Sequence, residues 1–199
     1  MSGFAAFGFH DGEGGFADRL VRAADELRSS ADGLVSVRVH REIGGGAVVT
    51  RIEWADEAAA NRAVLPEALA AGIRFRGHAD VGITGPAVDT PPGLIAVAVR
   101  HVSSREGAMA LAGLLRETGE WKGNSPGFIS ATPYIGADGR SYVNYPQWTD
   151  RAAFEAYMAD GRIPAGQEAV ARFEVAPPEF TLCTLAVEFA GPVMPGRHR

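Results

Sequence analysis

A chain of 199 residues has room for one large domain or two small ones. Its 46% hydrophobic and 22% charged residues are typical of a globular protein. Because the net charge is −5 and no dense Lys/Arg stripe is present, we expect no nucleic-acid partner. No apolar run reaches the length of a membrane span and the first residues lack the basic start of a signal peptide, so we expect a cytoplasmic protein with no membrane partner.

The first half of the chain has the pattern strand, helix, strand, strand, helix, strand. The predicted elements are a strand at 4–10, a helix with Phe16, Leu20, Ala23 and Leu27 at helical spacing, strands at 34–41 and 47–54, a helix from Asp56 towards Gly72, and a strand at 75–83. The glycine run 44–46 predicts a hairpin turn, because it separates two strands. Asp56 is placed to cap the second helix.

The second half repeats this order. The predicted elements are a strand at 94–101, a helix at 106–118, strands at 128–134 and 142–148, a helix at 150–160, a helical piece at 162–172, and a strand at 180–189. Asp138 and Gly139 form a typical hairpin turn. The only cysteine, Cys183, lies in an apolar run and is expected in the core, and no Cys/His spacing indicates a metal site.

An internal repeat connects the two halves. Residues 33–36 (GLVS) match 127–130 (GFIS), and in the same register 54–59 (WADEAA) match 148–153 (WTDRAA). Two consecutive prolines flanked by glycines lie between the copies and predict a linker. We therefore predict a first module at 1–86, a linker at 87–93, a second module at 94–190 and a flexible tail at 191–199.

The predicted fold class is α+β. Each module has the element order of a ferredoxin-like unit, a four-stranded antiparallel sheet with both helices on one face. The other face of such a sheet would be an exposed apolar surface that calls for a partner. Two modules in one chain supply that partner, so we expect an intramolecular pseudo-dimer packed sheet against sheet as an α/β barrel; further association of chains stays open.

The strands of the second module carry a candidate site. Asn144 and Trp148 differ by four residues and so point to the same face of a strand, and Tyr134 lies on the neighbouring strand. Together they could bind an aromatic substrate and hold a developing oxyanion. The alternative is structural: a tryptophan that packs at a strand end and an asparagine that satisfies nearby backbone.

The corresponding positions of the first module are His40, Thr50 and Trp54. All six residues can form hydrogen bonds, which favours polar cavities in both modules. His40 is the best-placed general base by sequence, since imidazole titrates near neutral pH; the alternative is a histidine on an exposed strand. Replacement of asparagine by Thr50 favours a degenerate first site.

These motifs resemble the antibiotic biosynthesis monooxygenase family. The resemblance is carried by the start 126–130, the turn 138–139, the run 143–148 (VNYPQW) and the following helix 151–157. It covers about 94–190 well and 1–86 more weakly. It implies a ferredoxin-like module that pairs into a dimeric α/β barrel.

Members similar to this chain include cofactor-free oxygenases that convert anthrone-like aromatic polyketides to quinones with O₂. The resemblance implies that Asn144 and Trp148 hold substrate oxygens. The family's strand histidine corresponds to Tyr134 here, or to His40 in the first module. The remaining substrate-binding positions that the resemblance implies, counting both modules, are Thr50, Trp54, Arg74, Phe154 and Tyr157.

The sequence therefore favours a cofactor-free monooxygenase acting on a small polycyclic phenol or enol, with O₂ as cosubstrate and His40 or Tyr134 in proton transfer. Alternatives on the same fold are a polyketide cyclase or isomerase and a non-catalytic ligand-binding module. A haem-degrading enzyme would need an axial histidine. The five histidines are His10, His40, His78, His101 and His198, and none is predicted on the helices after Trp54 or Trp148. Trp121 is either a lid residue or a packing anchor of its loop.

Overall fold

The structure, a computed structural model, describes residues 3–12, 15–117 and 119–192. The chain divides into two compact units. The first contains the described residues up to His78 and those from Ala186 onward, and the second runs from Ala79 to Leu185. All strand pairings described below are antiparallel, which confirms the predicted α+β class.

The first unit is a sheet covered by helices. Its elements are β1 (Phe4–Asp11), α1 (Phe16–Ser30), β2 (Leu34–Glu42), β3 (Ala47–Trp54), α2 (Glu57–Arg62), α3 (Glu67–Ala70) and β4 (Ile73–Ala79, whose last residue belongs to the second unit). Strand β1 pairs with β3 and β4, and β3 also pairs with β2. The helices bury Leu20, Leu27 and Leu69 in one apolar core with Trp54 and Ile52 of β3.

Two predicted elements of this unit are wrong in detail. The helix expected from Asp56 to Gly72 is two short helices, because Pro66 disfavours helical backbone at the residue before it and Ala63 is already extended, with φ −66° and ψ 132°. Asp56 does cap the first of them by accepting a hydrogen bond from the Ala59 amide at 2.7 Å. The strand expected at 75–83 is β4 and a separate short strand, β5 (Ile83–Thr84).

The second unit has the same strand order. Its elements are β5, β6 (Leu94–Val102), α4 (Arg105–Glu117), α5 (Gly119–Lys122), β7 (Phe128–Gly136), β8 (Ser141–Trp148), α6 (Arg151–Met158), α7 (Ile163–Ala171) and β9 (Glu174–Ala190). Strand β8 lies between β6 and β7, β9 pairs with β6, and β5 pairs with β7. Strand β9 begins earlier than the expected 180, and its residues from Ala186 onward belong to the first unit.

The matched residues of the repeat have matching geometry in the two units. Gly33 and Gly127 both adopt positive φ, 75° and 73°. An added Cβ at either glycine would lie within 2.7 Å of the matched alanine, Ala59 in the first unit and Ala153 in the second, so only glycine fits. The carbonyl oxygen of each glycine accepts a hydrogen bond at 2.9 Å from the amide of the residue after the tryptophan, Ala55 or Thr149.

Two sequence expectations fall partly outside what the structure describes. The end of the helix expected at 106–118 includes Thr118, and most of the expected flexible tail, residues 193–199, also lies outside the described residues. Within residues 3–12, 15–117 and 119–192, none of the helices has the length and apolar character to cross a membrane. Cys183 is buried, as expected for a core cysteine.

Candidate functional site

The second unit has a cavity of about 650 Å³ between its sheet and its helices. Its floor is formed by side chains of β6, β7 and β8, and its walls by α4, α5, α6, α7 and the early part of β9. The volume is within the range of about 300–1,000 Å³ typical of small-molecule sites. Most of its lining is aliphatic or aromatic, with a few polar groups.

Strand register sets which residues form the floor. Asn144 lies opposite Ala98 of β6 on one side and Pro133 of β7 on the other, and all three line the cavity. Because side chains alternate along a strand, Trp148 shares that face with Asn144. Asn144 and Trp148 thus lie on the same face of β8, as the sequence predicted.

Trp148 is completely buried and forms part of the cavity wall. Its ring is held by edge contacts with Phe128 and Phe154, at 5.0 and 5.9 Å between centroids, and by a tilted contact with Tyr157 at 4.9 Å. Among the described residues its buried Nε1 has no hydrogen-bond partner. A buried N–H donor without an acceptor is unfavourable by about 1–3 kcal/mol, and a ligand oxygen in the cavity would satisfy it.

Asn144 is half-buried at the same floor. Within the described part of the chain, no hydrogen bond occupies its side-chain amide, whereas the nearby Gln147 amide donates to Ser130 at 2.9 Å. The Asn144 amide can therefore donate to a ligand oxygen and accept from a hydroxyl.

Aromatic rings form one wall. Tyr157 stacks on Trp121 at 5.0 Å with an interplanar angle of 22°, and Phe154 stacks on Phe180 at 6.2 Å. Burial raises the pKa of Tyr157 to about 12, so its hydroxyl stays protonated at neutral pH. Trp121 thus packs against Tyr157 and lines the cavity, as expected for a packing anchor, while its role as a lid stays a prediction.

Tyr134 does not join this site. It lies opposite Val143, one residue out of step with Asn144 and Pro133, so its side chain lies on the opposite face of the sheet. It is fully buried there and is absent from the cavity lining. The expectation that Tyr134 converges with Asn144 is therefore wrong, because a register difference of one residue places the two side chains on opposite faces of the sheet.

In the first unit, the side chain of His10 lies beside Thr50, the counterpart of Asn144. Thr50 Oγ1 lies 3.2 Å from His10 Nε2, and the His10 ring leaves no room for a side chain at Gly72. Trp54 is buried in the apolar core, and its Nε1 also has no partner among the described residues. Arg74 is exposed on β4 with its guanidinium 4.6 Å from the centre of the Phe9 ring.

His40 is not a usable general base. It is fully buried, with Nδ1 2.9 Å from the Val49 carbonyl oxygen, and it belongs to the first unit. Burial lowers the pKa of His40 to about 3, with the nearby guanidinium of Arg51 as a smaller cause. A nitrogen of such low basicity accepts few protons at neutral pH.

The buried neutral His40 gives a pH-dependent stability that can be measured. Because the folded pKa is about 3 and the ordinary value is 6.5, the unfolded chain binds the extra proton between these values. Stability is complete above pH 6.5 and is lost as pH falls towards 3, at up to about 1.4 kcal/mol per pH unit from this group. Urea unfolding of wild type and His40→Asn from pH 7 to 4 should show a shallower loss in the variant. Equal slopes would contradict the buried neutral state.

The sequence analysis did not identify the four cationic residues that line the cavity, Arg100, Arg116, Lys122 and Arg162. Lys122 and Arg100 both line it, Lys122 from α5 and Arg100 from β6. Arg100 pairs with Glu174. Lys122 is the only lysine of the chain.

No histidine that the structure describes lines the cavity. Across the described ranges, no group of three or more His, Cys, Asp or Glu side chains is arranged to hold a metal ion.

The fold and cavity define a class of ferredoxin-like α+β proteins with a ligand-sized site on the helical side of a sheet. No family model matches the chain. Over its full length the chain is similar in fold to an anthrone oxidase-like protein, with TM-score 0.76, 14% identity and 97% of that chain covered. It is also similar to a ferredoxin-fold protein from Listeria monocytogenes related to antibiotic biosynthesis monooxygenases, with TM-score 0.60, 10% identity, 93% of this chain and 96% of that chain covered.

In sequence, the chain is 50% identical over 38 residues to the tetracenomycin-F1 monooxygenase of Streptomyces glaucescens. That match covers 19% of this chain and spans about a third, 34%, of the relative's length. The likenesses to solved structures show the fold, and the short sequence match is to a protein named as a monooxygenase.

Proposed function

We propose that the chain is a cofactor-independent monooxygenase that oxidises a polycyclic phenol or anthrone with O₂ in the cavity of its second unit. The observation that carries the proposal is the pair formed by the Trp148 Nε1–H, which has no acceptor among the described residues, and the Asn144 amide, in a largely apolar cavity with aromatic rings along one wall. Such a site fits a flat apolar molecule with oxygens at one edge.

In this proposal Asn144 and Trp148 hold the substrate oxygens, while Phe154 and Tyr157 flank its rings. Hydrogen bonds to an oxygen that becomes negative are strengthened as charge develops, and the Trp148 donor is itself fully buried. This arrangement would favour the enolate of an anthrone over its ketone.

The chemistry requires only the substrate and O₂. Loss of a proton gives the enolate, which passes one electron to O₂, and the resulting radical and superoxide combine as a peroxide at the ring carbon. The peroxide takes up a proton, the remaining C–H proton leaves, and the O–O bond breaks with loss of water. One O₂ is thereby reduced to one carbonyl oxygen and one water. The chain's part is to bind, orient and exclude solvent.

The first unit is proposed to be a scaffold. His10 occupies the space above Thr50, and Trp54 is enclosed by the apolar core. The matching geometry at Gly33 and Gly127 supports the interpretation of the chain as a tandem of one module, of which the second retains the open site. The tetracenomycin-F1 monooxygenase match and the anthrone oxidase-like fold support the substrate class.

Oxygen uptake by chelator-treated protein, with a panel of anthrones and polycyclic phenols, tests the proposal. We expect uptake above the autoxidation rate for at least one anthrone, with formation of the quinone. Ligand binding without uptake across the panel would contradict the oxygenase and leave a cyclase, isomerase or binding module on the same fold.

A further inference from the structure

The charges that line the cavity are all positive. The lining includes four cationic side chains and no carboxylate among the described residues. Three of them are neutralised by carboxylates: Arg100 by Glu174, Arg116 by Asp80 and Arg162 by Asp160. Lys122 is different, because no ion pair to its ammonium is found in the described part of the chain.

The ammonium of Lys122 lies among aromatic rings. Its Nζ is 5.2 Å from the centre of the Phe128 ring, 5.3 Å from that of Tyr157 and 5.8 Å from that of Trp148. The residue is only 8% exposed. Interactions with ring faces compensate part of the lost hydration of a buried cation, but they provide no counter-charge.

The Lys122 ammonium, which has no counter-charge among the described residues, therefore lies at the same wall as the indole N–H of Trp148. Lys122 contacts the ring of Trp148, whose Nε1–H has no acceptor among the described residues. A single anionic oxygen near both groups would neutralise the ammonium and satisfy the indole N–H, whereas a neutral ligand would satisfy the N–H alone.

We propose that Lys122 binds the negatively charged oxygen of the ligand, so that the cavity selects the phenolate or enolate form of a polycyclic aromatic compound. This inference rests on the proposed function for its choice of ligand class. On binding, the ligand O–H bond breaks, its electron pair stays on oxygen and its proton goes to bulk water, while Lys122 keeps its own proton.

Protonation of Lys122 is compatible with this role. Burial lowers the pKa of Lys122 to about 8, with the nearby Arg100 guanidinium as the smaller cause, so the residue is mainly an ammonium at pH 7. An anionic ligand would raise this pKa again. Of the other titratable groups that line the cavity, burial raises the pKa of Tyr142 and Tyr157, and the rest are the ion-paired arginines Arg100, Arg116 and Arg162.

The test uses 1,2-dihydroxyanthraquinone, a tricyclic phenol that is already a quinone and whose colour reports its ionisation. Its absorbance is titrated with pH, free and bound to the full chain, for wild type, Lys122→Met, Lys122→Arg and Arg116→Met. Arg116→Met is the matched control. It removes a cation from the same cavity, but this cation is already neutralised by Asp80.

We expect wild type and Lys122→Arg to lower the pKa of the bound probe by about one unit or more, a shift that corresponds to tenfold preference for the anion. Lys122→Met should abolish the shift, and Arg116→Met should keep it. A shift that survives in Lys122→Met, or one lost equally in Arg116→Met, would overturn the proposal, as would failure of the probe to bind wild type.

A second measurement, the pKa of Lys122 itself in the wild-type chain, does not depend on whether a variant folds. Because Lys122 is the only lysine, ¹³C reductive methylation gives one side-chain signal, identified by its absence in Lys122→Arg. Its pKa should rise when the probe binds, and an unchanged pKa would overturn the proposal. A Lys122-dependent shift of the probe pKa without oxygen uptake from anthrones would support the anion-binding site and contradict the monooxygenase. The failure of one proposal can therefore be distinguished from the failure of the other.

Discussion

Replacement of Trp148 by phenylalanine is expected to lower the kcat of anthrone oxidation about 100-fold, the typical cost of removing one donor from an oxyanion site. Phenylalanine keeps a ring between Phe128 and Phe154 but removes the indole N–H, which has no acceptor among the described residues. The loss should fall mainly on kcat, because the hydrogen bond strengthens as the substrate oxygen becomes negative. Initial rates of oxygen uptake over a range of anthrone concentrations measure it.

Trp54→Phe is a matched control for this change. Trp54 is the repeat counterpart of Trp148, is equally buried, and also has an Nε1 without a partner among the described residues. Both variants should change stability by a similar amount in urea unfolding, because each loses ring volume from a buried site and also removes a buried N–H without an acceptor among the described residues. Only Trp148→Phe should lose activity. Comparable activity losses in both variants would contradict a single working site, and full activity in Trp148→Phe would remove the tryptophan from the mechanism.

Asn144→Ala is expected to reduce kcat/KM for an anthrone roughly 10- to 100-fold, which corresponds to about 1.4–2.7 kcal/mol of lost transition-state binding. The side chain is half-buried and makes no hydrogen bond within the described part of the chain, so the loss should leave the free energy of unfolding nearly unchanged. Steady-state kinetics and urea unfolding on the same preparation separate the two effects.

Thr50→Ala gives the reverse pattern. It breaks the contact with His10 inside the first unit and should lower stability by roughly 1 kcal/mol while leaving oxygen uptake unchanged. If Thr50→Ala reduces activity as much as Asn144→Ala, both units carry working sites and the scaffold role of the first unit is wrong.

The sequence predicted the positions of helices and strands better than the breaks and ends of those elements. Hydrophobic spacing located α1, and the glycine turns located both hairpins, because these signals depend on local periodicity and turn chemistry. The break between α2 and α3 follows from Pro66, a signal that was present but was outweighed by the alanine-rich composition around it. The early start of β9 could not be foreseen, since its first residues pair with β6 across a long separation.

The candidate site was predictable where strand periodicity decides it. Asn144 and Trp148 share a face because they are four residues apart, and Phe154 and Tyr157 follow on the next helix. The placement of Tyr134 depends on the register between β7 and β8, which hairpin turn residues alone did not fix to within one residue. The burial of His40 is likewise a tertiary property.

Lys122 shows what the sequence could not provide. Its α5 helix is only four residues long and carries no periodic pattern, so nothing local indicates that its ammonium enters a cavity. Its contacts with Phe128, Trp148 and Tyr157 join residues from three elements. A buried charge of this kind becomes visible only when those elements are assembled.

The most direct test of the central claim is the origin of the new oxygen in the product. Anthrone is incubated under ¹⁸O₂ with chelator-treated protein, and the quinone formed above the protein-free background is analysed by mass spectrometry. The proposed chemistry requires one ¹⁸O atom in each quinone molecule and one O₂ consumed per quinone, at a rate that Trp148→Phe lowers. Protein-dependent product without ¹⁸O, or no product above the background, would contradict a monooxygenase.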